Sequence, residues 1–117
     1  STTKPKRKGR FSRSSAERRT LGGIVFDSIK EMNRWADLQH LAKQGLIHDL
    51  QRQVSYSIEI SGYHFCKFTP DFQYINSDGT LVIEEIKSTG TAKDAAYRLR
   101  KIAFELTYGL KVTELIR

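Results

Sequence analysis

A mixed α/β (α+β) domain is predicted by three features of the sequence. Apolar residues recur at helical spacing over residues 29–42, alternate with polar ones beyond residue 50, and return to helical spacing over 92–106. A strong hairpin signal, Asn76-Ser77-Asp78-Gly79, separates two strand-like stretches. Gly45 and Gly109 stand where the two helices should stop. The predicted order is helix, three strands, helix, strand.

The chain opens with a basic arm, residues 1–20. It carries Lys4, Lys6, Arg7, Lys8, Arg10, Arg13, Arg18 and Arg19 against a single acid, Glu17, and has only Phe11 and Ala16 as apolar residues. Such a segment cannot bury itself and reads as a flexible tail on a globular body, residues 21–117. Gly22-Gly23 ends the arm, and Ile24-Val25-Phe26 is a short strand. Ser28-Ile29-Lys30-Glu31 has the Ser-x-x-Glu form of a capping box and starts the first helix. Ile29, Met32, Trp35, Ala36, Leu38, Leu41 and Ala42 supply its apolar spacing.

From Leu50 the period is two, with Val54, Tyr56, Ile58 and Ile60 on one face. Ser61-Gly62 turns the chain into a second strand, Tyr63 to Phe68, which should continue past Pro70. The third strand opens at Leu81 and ends near Lys87. In the second helix the spacing puts Ala95, Leu99, Ile102 and Leu106 on one face, and Lys93, Tyr97, Arg100 and Lys101 on another. Leu110 to Ile116 is the last strand.

Length and charge exclude several function classes. At 117 residues there is room for one core. No apolar run approaches the roughly 18–20 residues of a membrane span, and the start carries no signal-peptide stretch. Cys66 alone excludes an internal disulfide and a multi-cysteine zinc site, so a soluble protein of a reducing compartment is expected. The net charge of +7 lies wholly in the arm, because residues 21–117 hold twelve bases and twelve acids. A basic tail on a neutral body points to nucleic acid, held through its phosphates.

One cluster carries chemistry. Pro70-Asp71 lies in the second strand, and Glu84-Glu85-Ile86-Lys87 lies across the hairpin. Residues two apart on a strand share a face, so Glu85 and Lys87 point together and Glu84 points away. The hairpin brings Asp71 close to Glu85, and paired carboxylates repel unless a cation compensates them. Oxygen ligands of this kind suit Mg²⁺, and the lysine beside them could orient a water or stabilise charge on a phosphate. Glu84 reads as a solvent-facing or ion-paired neighbour. His40, His48 and His64 have no ligand spacing, and no Gly-rich phosphate loop or nucleophile elbow is present.

Pro70-Asp71, thirteen intervening residues and Glu85-Ile86-Lys87 resemble the signature of the PD-(D/E)XK nuclease superfamily. More narrowly, Phe26 to Glu31, Ile47 to Gln53 and Tyr97 to Lys101 resemble small phage-encoded nucleases and transposon endonuclease subunits. The resemblance implies a restriction-endonuclease-like core, a mixed central sheet flanked by helices. It implies that Asp71 and Glu85 bind metal with the Ile86 carbonyl, that Lys87 is catalytic, and that Glu31 binds the metal or its water. Glu31 is equally the acid a capping box requires. Gln53 matches a polar position that some relatives hold near the site. Mg²⁺ would be the cofactor, with Mn²⁺ able to substitute.

The expected function is therefore a Mg²⁺-dependent endodeoxyribonuclease acting on branched DNA such as a Holliday junction. Lys4, Lys6, Arg7, Lys8, Arg10, Arg13, Arg98 and Lys101 would contact DNA, although the second-helix cations read equally as a solvated face. A homodimer would offer two sites to two strands, and a recombination, packaging or transposition partner would deliver the substrate. The resemblance places the protein in the cytoplasm, bacterial or of a phage host. The alternative is a non-catalytic or partner-dependent DNA-binding subunit. An RNA-directed protein is a third reading of the same charge.

Overall fold

A computed structural model describes residues 14–87 and 94–116. Two helices and a mixed sheet make it an α+β structure. A single 3₁₀ turn at Glu17–Arg19 leads into a small hairpin of β1 (Thr20–Leu21) and β2 (Ile24–Val25). Then follow α1 (Ile29–Lys43), β3 (Ile47–Arg52), β4 (Tyr56–Ile60), β5 (Tyr63–Phe68), β6 (Phe72–Asn76), β7 (Leu81–Lys87), α2 (Ala95–Tyr108) and β8 (Val112–Ile116). Among the described residues no helix is long and apolar enough to cross a membrane.

The main sheet has the strand order β3-β6-β7-β8. Its first three strands run antiparallel, and β8 lies parallel to β7. β4 and β5 form a separate two-stranded ribbon. Alternation along the strands feeds two cores. Phe26, Leu38, Ile47, Phe72 and Tyr74 pack with Trp35 and Met32 of α1 on one face, the Trp35 and Phe72 rings stacking 5.6 Å apart. Ile58, Phe68, Ile83, Tyr97 and Phe104 gather ribbon and α2 on the other. Each buried aromatic contributes about 1.5–3 kcal/mol by leaving water.

Both helix boundaries follow local chemistry. Ser28 Oγ accepts from the Glu31 N–H at 3.1 Å and caps α1. Gly109 ends α2 in the left-handed region at φ 69°, and its N–H donates to Glu105 O at 2.9 Å. The loop Asn76-Ser77-Asp78-Gly79 joins β6 to β7 as expected, with Asp78 Oδ1 accepting from the Thr80 N–H at 2.9 Å.

Four expectations need correction. The alternating run beyond Leu50 is two strands, because Asp49 and Gln53 both adopt φ of 53° and the turn at Gln53 hands the chain from sheet to ribbon. Alternation shows which residues share a face and not which strand they pair with. The second strand does not run past Pro70. It stops at Phe68, since proline has no N–H for a ladder, and β6 begins at Phe72. Asp71 therefore sits just outside β6.

The third correction concerns α2, which buries Tyr97 and Phe104, while Leu99, Ile102 and Leu106 are exposed. Both stripes have helical spacing. The aromatic one wins because Phe68 and Phe104 pack with ring centres 4.9 Å apart, and Tyr56 meets Phe104 edge-on at 5.0 Å. Finally, Arg19 does not belong to a flexible arm. It is buried, its Nε donates to Ser14 O at 2.8 Å, and its Nη1 donates to Phe26 O. Lys4, Lys6, Arg7, Lys8, Arg10, Arg13 and Lys93, with residues 88–92, lie outside the described residues.

Candidate functional site

β6 and β7 pair with Phe72 opposite Glu84, so one step further the register opposes Asp71 and Glu85. The two clasp each other. The Asp71 N–H donates to Glu85 Oε1 at 3.1 Å, and the Ile86 N–H donates to Asp71 Oδ2 at 2.8 Å. Lys87, two residues along and on the same face, places Nζ 3.5 Å from Glu85 Oε2. The same ammonium lies over the Tyr97 ring, 3.6 Å from its centre.

Glu31 enters from the first turn of α1. Only its backbone serves the Ser28 cap. Its carboxyl group is buried, and Oε2 has no hydrogen-bond partner among the described residues. Burial, then the charges of Asp71 and Asp27, push Glu31 up to about 7, with the Arg52 guanidinium opposing. Burial and Asp71 push Glu85 up to about 7, with Lys87 opposing. Burial also raises Asp71, against the Ile86 N–H and the cations Lys87 and Arg52. Three carboxyl groups thus share a region where each is costly to ionise. Burial and the acids Glu114, Glu85 and Asp71 raise the Tyr97 phenol.

The adjacent Glu84 points to the opposite face, as strand alternation requires. It is ion-paired rather than solvent-facing. Arg34 Nε lies 2.9 Å from Oε1 and Nη2 2.7 Å from Oε2, and the Tyr74 hydroxyl donates to Oε2. Glu84 is 2% exposed, so one residue beside the crowded site lies an acid with every demand met.

The other expected site residues are placed as follows. Gln53 reaches the cluster through its backbone, its N–H donating to Asp71 O at 3.0 Å, while the residue itself is exposed. Lys101 is held by Glu114, with Nζ 3.3 Å from Oε2. Arg98 is exposed on α2, where its N–H donates to Asp94 O at 3.0 Å. Ile86 contributes its N–H to Asp71. Sequence reasoning missed Arg52, and missed Tyr97 as the ring beneath Lys87. Only the pairing of β3 with β6 places Arg52 here, and only the burial of the aromatic stripe of α2 places Tyr97.

Among the described residues no three His, Cys, Asp or Glu side chains stand ready-made as a metal cage. Asp71 and Glu85 spend oxygens on backbone N–H groups, and Glu31 has an unpartnered one. The donor chemistry nevertheless fits a hard divalent cation, because Asp71 and Glu85 crowd each other and the unpartnered Glu31 carboxyl feels the Asp71 charge. No curated protein and no solved structure matches the chain. Residues 11–117 match the family model described as "Protein of unknown function (DUF1064)", and the chain belongs to that family.

Proposed function

We propose that this chain is a Mg²⁺-dependent endodeoxyribonuclease with a restriction-endonuclease-like core. The observation that carries the reading is the cluster at the β6–β7 junction: Asp71 and Glu85 clasped through backbone N–H groups and Lys87 beside Glu85, with the buried Glu31 carboxyl, one oxygen unpartnered, close enough to feel the charge of Asp71. The strand arrangement supports it. With the β4–β5 ribbon set aside as an insertion, α1, β3, β6, β7, α2 and β8 give helix, three strands, helix, strand.

Asp71, Glu85, the Ile86 carbonyl and Glu31 would hold the metal, with Mn²⁺ a substitute. Once bound, the ion supplies Lewis acidity toward a phosphate oxygen and lowers the pKa of water. Lys87 is placed to orient the attacking water or to neutralise charge developing on the phosphate. Tyr97 and Glu85 fix the Lys87 ammonium, so its position is set before substrate arrives. Cleavage would leave 5′-phosphate and 3′-hydroxyl ends.

The described residues are taken up by the proposed core and its ribbon, which favours branched DNA, such as a four-way junction, and a homodimer or a recombination, packaging or transposition partner to present two strands. The test is a Mg²⁺-dependent cleavage panel of linear, nicked, flapped and four-way DNA with matched RNA, using Asp71→Ala as control. Cleavage of branched DNA by the full chain and not by the variant is expected. Tight, salt-sensitive binding without cleavage of any substrate would establish the non-catalytic subunit instead.

The arm has its own test. Deleting residues 1–13 removes six cations and keeps Arg19. The logarithmic salt slope of DNA binding should become shallower by roughly 0.9 per lost phosphate contact, while turnover at saturating DNA is preserved.

A further inference from the structure

α2 carries two apolar stripes, and the core accounts for one of them. Tyr97 and Phe104 are buried against the ribbon and sheet. Ala95, Leu99, Ile102 and Leu106 fall on the opposite side of the helix, where Leu99 is 57%, Ile102 49% and Leu106 81% exposed. A helix that is apolar on both sides is ordinarily packed on both sides.

The spacing of the exposed stripe is symmetric about Ile102. Leu99 stands three positions before it and Leu106 four after, while Ala95 and Gly109 stand seven away in either direction. A second α2 laid antiparallel, with the two-fold axis beside Ile102, sets Leu99 against the partner's Leu106 and Ile102 against the partner's Ile102. The small Ala95 then meets the partner's Gly109, so the helix ends do not hold the pair apart.

Charge favours the same alignment. Arg98 and Glu105 lie on one flank of the stripe. A two-fold axis perpendicular to the helices brings like flanks together, so Arg98 meets the partner's Glu105, and the pair occurs twice. Glu105 is already oriented, because its Oε2 accepts from the Val112 N–H at 2.8 Å. Its Oε1 stands 3.8 Å from Nζ of Lys111, a lysine 90% exposed and so only loosely held. A parallel pair would bring unlike flanks together and put Arg98 beside the partner's Arg100, cation against cation.

The area is sufficient. Three such side chains leave an apolar patch on the order of 400 Å², the size that marks an interaction site on a monomer. Two patches face to face, with their charged rim, reach roughly the 1,200 Å² at which specific interfaces begin.

We propose that α2 is the dimerisation helix of this chain, pairing antiparallel with α2 of a second copy through Leu99, Ile102 and Leu106. The inference does not depend on the nuclease reading. The stripe lies on the side of α2 away from Tyr97, whose ring carries Lys87, so the interface leaves both acid clusters uncovered.

Sedimentation of the full chain tests it at about 100 µM, enough to populate a complex of micromolar Kd, in salt that screens the +7 of each copy. Wild type should sediment as a dimer and Ile102→Glu as a monomer of unchanged helical content. Arg98→Glu should weaken dimerisation by about tenfold or more. The alignment is read by disulfide trapping in a Cys66→Ala background. Leu99→Cys mixed with Leu106→Cys should cross-link as a mixed pair in preference to either variant with itself.

A monomeric wild type at that concentration would overturn the proposal and assign the stripe to a different protein. A dimer that survives both I102E and Leu106→Ser would overturn it by placing the interface elsewhere. Trapping of L99C with itself as readily as with L106C would overturn the antiparallel alignment. Should I102E lose helical content, L106S carries the same comparison. None of these readouts involves cleavage, so a chain that cuts no DNA refutes the nuclease reading and leaves this interface standing on its own result.

Discussion

Glu84 and Glu85 are consecutive residues of β7 with opposite circumstances. Glu84 faces the α1 side, where Arg34 meets both its oxygens and Tyr74 adds a hydroxyl. Glu85 faces the α2 side, where Asp71 crowds it and a single lysine stands 3.5 Å away. One acid is fully compensated and the other is not, although a strand gives both the same backbone. Compensation on the first side stabilises the sheet. The shortage on the second leaves an oxygen-rich locus that gains by taking up positive charge.

The largest effect should come from breaking the uncompensated side. Asp71→Ala or Lys87→Ala should reduce branched-DNA cleavage by roughly 10³-fold or more while DNA binding in Ca²⁺ changes little. Wild-type rates in both variants would sink the site assignment. Breaking the compensated side should act on stability instead. Arg34→Ala leaves Glu84 buried without its cation and should cost about 3–5 kcal/mol in urea unfolding. A loss below about 1 kcal/mol, the range of a surface pair, would show that Glu84 finds other relief.

A smaller effect sharpens the comparison through pH. Glu31 and Glu85 are pushed up to about 7 in the fold, above their ordinary value of 4.5. The folded chain therefore binds their protons more tightly than the unfolded one. That contribution is full below about pH 4.5 and fades as pH rises toward 7. Glu85→Gln should then raise the melting temperature at pH 8 by a few degrees, on the order of 1 kcal/mol, and give no gain at pH 4.5. Glu84→Gln should lower it at pH 8. Mg²⁺ should raise the wild-type melting temperature at pH 8 and leave Asp71→Ala unmoved, as ligand linkage requires. Equal shifts in both proteins would place the ion elsewhere.

Legibility followed range. The clasp of Asp71 with Glu85 was readable because a hairpin loop and a period of two fix it within fifteen residues. The opposed directions of Glu84 and Glu85 came from the same alternation. Arg34 was not readable as the partner of Glu84, since 50 residues separate them and several cations could have served. β3 was hidden because Ile47 to Arg52 is interrupted at Asp49 by a left-handed residue that breaks the strand register. On α2 two stripes of equal spacing competed, and the choice depended on the aromatic rings that the ribbon and sheet presented. The activity, the metal and the roles of these residues stand as proposals on that geometry.

The pairing of Arg52 with Phe72 has one more consequence. The chain leaves the sheet and re-enters it at facing positions, so residues 53–71 form a closed excursion whose two ends meet beside the acids. Its inner side, Ile58 and Phe68, is committed to α2, whereas Ile60, Tyr63 and Phe65 at the far end are exposed. Exchanging that far end would leave the order of the four main strands and the two anchoring contacts untouched. The fold thus separates a fixed frame around the acid cluster from a replaceable appendage, and diversification can proceed at one without renegotiating the other.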